Sequence, residues 1–131
     1  MEIFQLGYEL ALDINRLVDK FPEKEKDNIA SQMRRAATSI PINMAEGAVK
    51  KSYREFLNFL SYSYGSCKEL GVLLMMSKDL GYISQKEYDD LFRKLDKVMA
   101  KLFGFVKNQR FLSMIRNPFG FLTYGEHRVQ I

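Results

Sequence analysis

The strongest constraint on the fold lies in residues 32–47, where a proline stands inside an apolar pattern of helical period. Pro41 has no N–H, and its ring crowds the carbonyl four residues back, at Ala37, so an isolated helix would kink or stop there. Ile29, Met33, Ala36, Ile40 and Met44 nevertheless keep a spacing of three or four across it. A segment that stays helical against its own propensity has to be held by packing. Ala30, Ala36, Ala37, Ser39 and Ala45 are small enough to let another backbone come close on more than one side. Gln32, Arg35, Ser39, Asn43 and Glu46 share the helical spacing, so a continuous helix aligns them on one polar stripe.

The same period recurs in three other stretches. Residues 2–20 carry Phe4, Leu10, Ala11, Ile14, Leu17 and Val18 on one stripe, with Phe21 following. Phe21 and Pro22 end that helix, because a residue before proline avoids helical geometry. Pro22 suits the first turn of the next helix, expected over residues 22–49, with Glu23 and Glu25 at its positive end. Gly47 and the following Lys50 and Lys51 mark its close. Ser52 and Glu55 have capping-box spacing, in which each side chain satisfies the other's orphan N–H, so a third helix starts there. Phe56, Leu57, Leu60, Tyr64, Cys67, Leu74 and Met75 form its core face. Val72, Leu73, Met76 and Leu80 lie on its back, which calls for a second cover, and these four are read as an oligomer interface. Gly65 and Gly71, inside this helix, read as positions of close packing. Gly81 has the position of a helix C-cap, and Ser84 with Glu87 forms a second capping box stapled by Ile83 and Tyr88. A fourth helix follows to residue 106, with Leu91, Leu95, Val98, Leu102 and Phe105 on one apolar stripe and Tyr88, Phe92, Met99, Phe103 and Val106 on its neighbour.

Four helices with short connections, no alternating strand pattern and no internal repeat predict an all-α protein, an up-down-up-down four-helix bundle over residues 1–106. A single domain is the natural reading of 131 residues, and 47% hydrophobic with 27% charged residues argues against a disordered chain. In residues 107–131, Asn117, Pro118, Phe119 and Gly120 give a turn signal. Phe111, Phe119, Phe121, Leu122 and Tyr124 make this C-terminal tail too apolar for a linker. It is expected as an irregular or extended arm packed on the third and fourth helices of its own or a neighbouring subunit. Cys67 is the only cysteine, which excludes an intrachain disulfide framework and fits a reducing cytoplasm. The start of the chain lacks the basic flank and apolar core of a secretion signal, and the longest apolar run, Val72 to Met76, is too short to cross a bilayer. A cytoplasmic protein with no membrane partner is expected.

Catalytic patterns are scarce. The sole histidine, His127, lies in the tail, which leaves no Cys–His pair or histidine metal cluster for the bundle. There is no glycine-rich phosphate loop and no helical Glu-x-x-His pair of the di-iron type. We therefore expect no enzyme, no metal and no cofactor. The polar stripe reads as a structural network of Arg35, Ser39, Asn43 and Glu46. In it Ser39 would bond the carbonyl freed by Pro41, and one of Arg34 and Arg35 would be committed to Glu46. A ligand held by Asn43 and Glu46 is the alternative, with no nucleophile or cofactor motif beside it.

A net charge of +4 permits acidic partners such as nucleic acid. One basic group, Lys50, Lys51 and Arg54, crowds the connection between the second and third helices, where cationic side chains could meet phosphates. Another, Arg93, Lys94, Lys97 and Lys101, lies opposite the apolar arc of the fourth helix. The helix dipole explains this second group equally well, since Glu87, Asp89 and Asp90 occupy the first turn and the cations later ones.

Phe21-Pro22 with nearby glutamates leads to Ser31, Gln32, Arg34, Arg35, Ala36, Ala37, Ser39, Ile40, Pro41, Asn43, Ala45, Glu46 and Gly47. Glu55-Phe56-Leu57, Gly65-Ser66-Cys67 with Glu69-Leu70, and Leu80-Gly81-Tyr82-Ile83 follow. Together these closely resemble the four-helix-bundle proteins encoded in intervening sequences of bacterial large-subunit ribosomal RNA genes, over residues 4–106. The resemblance implies a bacterial, cytoplasmic protein without established enzymatic activity, assembled as a homopentamer around a central channel. Related in fold is the accessory variability protein of diversity-generating retroelements, which binds nucleic acid and a reverse transcriptase. The Arg34-Arg35-Ala36-Ala37 and Asn43-x-Ala45-Glu46-Gly47 signature looks more like the ribosomal branch. The tail after Asn108 lies outside the resemblance. The expectation is therefore a non-catalytic, oligomeric nucleic-acid-binding protein, RNA being favoured. The alternative is a structural or adaptor module that takes a protein partner through its tail, including a reverse-transcriptase accessory role.

Overall fold

The computed structural model describes residues 2–106, which form α1 (Glu2–Val18), a 3-10 turn (Glu23–Glu25), α2 (Ile29–Ala48), α3 (Tyr53–Asp79) and α4 (Gln85–Val106). No strand occurs among the described residues. The arm expected in residues 107–131 and His127 lie outside them. Each helix packs on its sequence neighbours and α4 closes on α1, which makes a four-helix bundle. Cross-helix pairs set the directions. Glu2 pairs with Lys101, Asp13 with Lys94 and Lys20 with Glu87, so residues rising along α1 meet residues falling along α4. Between α2 and α3, Met33 meets Ser77 while Ser39 meets Ser66, again antiparallel. One end of the bundle thus gathers the start of α1, the α2–α3 connection and the end of α4.

The core follows most of the predicted stripes, but Phe105, expected on the apolar stripe of the fourth helix, is 38% exposed at its end. Leu10, Ile14, Met33, Ile40, Met44, Leu60, Leu70, Leu74, Leu95 and Leu102 are its largest fully buried side chains. α2 runs unbroken through Pro41, which is itself buried. Two glycines permit close helix approach. A Cβ on Gly7 would meet the Met44 Cε at 3.1 Å, and one on Gly47 would meet the Phe59 Cβ at 2.9 Å and the Phe56 carbonyl oxygen at 3.2 Å. Gly47 is therefore a packing residue of the last turn of α2.

Several expectations need correction. α2 begins at Ile29, and Glu25 ends the separate 3-10 turn with its side chain in a tertiary contact. Its side chain, 8% exposed, accepts from the Tyr82 hydroxyl at 2.5 Å and from Asn28 Nδ2 at 2.9 Å. Phe21 lies beside Tyr82 with ring centroids 5.4 Å apart and the rings tilted at 49°, which closes this end of the bundle. Leu73, read as an interface residue, belongs to the protomer's own core at 6% exposure. Gly65 is exposed, and a Cβ placed on it would have nothing within 4 Å, so no close packing explains it.

Both capping boxes form, in different ways. Ser84 Oγ accepts from the Glu87 N–H at 3.1 Å and Glu87 Oε1 accepts from the Ser84 N–H at 2.9 Å, the full reciprocal arrangement. Ser52 Oγ accepts from the Glu55 N–H at 3.1 Å, but its own hydroxyl donates to Glu55 Oε1 at 3.2 Å, so the carboxylate does not reach the backbone. Gly81, at φ +83°, is the left-handed C′ residue of α3. Tyr82 N–H bonds the Ser77 carbonyl at 2.8 Å and Gly81 N–H the Lys78 carbonyl at 3.0 Å, a Schellman motif.

Candidate nucleic-acid interface

The polar stripe of α2 divides between two environments. The Ser39 hydroxyl donates to the Ala36 carbonyl at 2.8 Å and lies 2.5 Å from Ser66 Oγ. A hydroxyl has one proton, so with Ser39's on the carbonyl Ser66 is the donor between them. Asn43 Nδ2 donates to the Ser39 carbonyl at 2.8 Å, and Ser63 of α3 donates to the Ile40 carbonyl at 2.8 Å. Polar satisfaction near Pro41 thus comes from α3 as well as α2, and Ser39 serves the Ala36 carbonyl rather than that of Ala37. Arg35 and Glu46 are exposed and do not join Ser39 and Asn43. Arg35 reaches Ser31 at 3.3 Å, and Arg34 pairs with Asp19, just after α1, at 2.7 Å, so neither arginine is committed to Glu46. Ser63 and Ser66 escape a sequence reading because serines on an apolar helix face carry no marker of the partner they will meet.

The two basic groups also differ. On α4, Lys94 is engaged by Asp13, Lys101 by Glu2 at 3.2 Å and Arg93 by Asp90 at 3.3 Å. Only Lys97 of that group has no ion pair among the described residues, so the face serves chiefly as the α1–α4 seam. Asp90 is held below the usual carboxylate range by Lys86 first and then Arg93. Glu87 is held low by Lys20 first and then by the Ser84 N–H.

At the α2–α3 connection, Lys51 and Arg54 are exposed and Lys50 half-buried, and none has an ion pair among the described residues. Lys50 Nζ lies 5.1 Å from the centroid of the Phe59 ring, a contact that leaves its charge unneutralised. Aromatic side chains stand among these cations. Tyr53, 57% exposed, has its ring centroid 6.0 Å from Phe56, which is 6.0 Å from Phe105 of α4. Glu46 and Glu55 are exposed at the same end. Most of the chain's net charge of +4 lies in residues 107–131, outside the described ones. Of 20 basic and 16 acidic residues, residues 2–106 hold 16 and 15. Residues 107–131, which continue from this end of α4, hold Lys107, Arg110, Arg116 and Arg128 against Glu126.

An apolar groove of about 340 Å³ runs between α1 and α2, lined by Phe4, Tyr8, Leu12, Thr38, Pro41 and Ile42 among others. Met76 and Leu80 on the back of α3 are exposed and Val72 half-buried. Cys67 is buried, and burial pushes its thiol up, far from the range of a reactive thiolate. Among the described residues no group of three or more His, Cys, Asp or Glu side chains could hold a metal ion. No helix among them is long and apolar enough to cross a membrane.

The crystal structure of a protein of unknown function from the S23 ribosomal protein family of Bacteroides thetaiotaomicron is similar, with a TM-score of 0.75 at 22% identity. The match covers 80% of this chain and 98% of that one, a likeness of fold. No curated protein matches the chain. The family model described as 23S rRNA-intervening sequence protein matches residues 1–104, spanning all four helices nearly to the end of α4, and the chain belongs to that family.

Proposed function

We propose that the protein is a non-catalytic, oligomeric nucleic-acid-binding protein, RNA being its favoured ligand, and that it holds phosphates at the α2–α3 end of the bundle. The observation that carries this is the cluster of Lys50, Lys51 and Arg54, which have no acidic partner among the described residues while most cations of α4 do. Flexible cations beside exposed rings suit a phosphate backbone with accessible bases. Arg93, Lys94, Lys97 and Lys101 become secondary contacts, since three of them would have to release an acid first.

Binding of a mixed-sequence RNA, followed by anisotropy across a salt series, tests the reading. Affinity should fall steeply with salt, and replacing Lys50, Lys51 and Arg54 together by Gln should lower the log–log slope by about 2. Absence of binding at low salt, or an unchanged slope in the triple variant, would refute it.

Assembly with copies of the same chain, a homopentamer in the fullest form of this reading, is supported by the apolar strip of Val72, Met76 and Leu80, without the core residue Leu73. A second reading, an adaptor that captures a protein partner, is favoured by the apolar α1–α2 groove. A reverse-transcriptase partner belongs to this second reading.

A further inference from the structure

The end of the bundle that carries Lys50, Lys51 and Arg54 also carries a continuous aromatic ledge. Tyr53, Phe56 and Phe105 are joined ring to ring across α3 and α4, with interplanar angles of 33° and 82°. The outer rings stay open, Phe105 being 38% exposed. A second pair, Phe59 and Tyr62, continues along α3 with centroids 5.3 Å apart, and Lys50 lies over its inner ring. Lys50, Lys51 and Arg54 thus flank a run of rings over the first three turns of α3. Large aromatic side chains left in water forgo the burial that would stabilise them, and here they sit beside charges that attract phosphate.

Resting on the nucleic-acid reading above, we propose that this ledge selects single-stranded segments, with unpaired bases stacking on Tyr53 and Phe105 while Lys50, Lys51 and Arg54 hold the adjoining phosphates. Every base offers a π-face, so such a platform tolerates sequence but needs the base out of its stack. A duplex hides those faces and offers the ledge only its backbone. Reading a duplex groove directly requires a helix or ribbon that enters it. Among the described residues, Lys50, Lys51 and Arg54 stand on a four-residue connection and the first turn of α3 instead.

The test compares a labelled twelve-nucleotide RNA of mixed sequence with the same strand in a duplex, using the full chain at low salt. The single strand should bind the more tightly. Tyr53→Ala should weaken it about tenfold with the salt slope unchanged, while Tyr53→Phe, which keeps the ring, should bind as the natural protein does. Phe105→Ala should act in the same direction. Circular dichroism of each variant checks that the helices are intact, as expected for replacements at exposed rings. Equal binding of strand and duplex, with Tyr53→Ala neutral, would overturn the ledge proposal and leave the nucleic-acid reading standing. Failure of both ligands to bind would overturn the two together.

Discussion

Two glycines of similar appearance in the sequence have opposite surroundings. Gly47 is pressed against Phe59 and the Phe56 backbone, while Gly65 faces open space on α3. Alanine is the better helix former by about 1 kcal/mol at either position. At Gly47 overpacking outweighs that gain, because the nearest atoms include backbone. Gly47→Ala should lower unfolding free energy by about 1–3 kcal/mol in urea titrations. Gly65→Ala should raise it by up to about 1 kcal/mol under the same conditions. Glu25 gives a second residue-scale test. The Tyr82 hydroxyl above all, with help from Asn28, lowers its carboxyl below the usual value near 4.5. The unfolded chain therefore binds the proton more readily, so this contribution is complete above that value and is lost as pH falls through the folded one. Tyr82 is raised, chiefly by the same bond, so its contribution holds below its usual value near 10 and is lost as pH climbs through the folded one. Tyr82→Phe should be less stable than the natural protein at neutral pH, and the two should converge in acid. Thermal melts across pH 3–7 would show a constant gap if the bond contributes nothing.

At the scale of elements, helix beginnings are local chemistry and are readable as such. Ser52 and Ser84 cap α3 and α4 through contacts three residues away, which no distant packing has to arrange. Ser84→Ala and Ser52→Ala should each cost about 1 kcal/mol in urea unfolding, because each removes the acceptor of a helix N–H three residues on. An unchanged unfolding free energy in either variant would mean that its cap adds nothing. The start of α2 departs from local chemistry for a physical reason. Pro22 and the glutamates satisfy every local rule for a first turn, but Glu25 gains a partner 57 residues away and the helix waits until Ile29. Pro41 shows the reverse case. Local rules stop a helix there, and packing among α1 and α3 carries it through.

For the whole molecule, the back of α3 separates folding from assembly. Leu73→Glu places a charge in the protomer's core and should abolish the helical signal. Met76→Glu, at a position 42% exposed, should leave that signal intact and reduce the mass measured by light scattering. Native mass in the Met76 variant would remove this strip from the assembly surface. The candidate interface is only partly legible in the sequence. Both basic groups stand out there, yet only the bundle's register brings Asp13 and Glu2 against Lys94 and Lys101 and leaves Lys50, Lys51 and Arg54 without an ion pair among the described residues. The aromatic ledge cannot be read at all, since Phe105 and Tyr53 lie 52 positions apart and are linked through Phe56 only because α3 and α4 run antiparallel.

The sequence by itself determined the number of helices, the caps of α3 and α4 and most of the faces that are buried, because periodicity and capping act within a few residues. It also carried the family signature around Pro41. Tertiary structure alone decided which polar groups are satisfied across helices, which glycines are packed, and which charges remain open. Those properties depend on pairs of side chains distant in the chain, whose meeting is fixed by helix register and not by either residue's own neighbourhood.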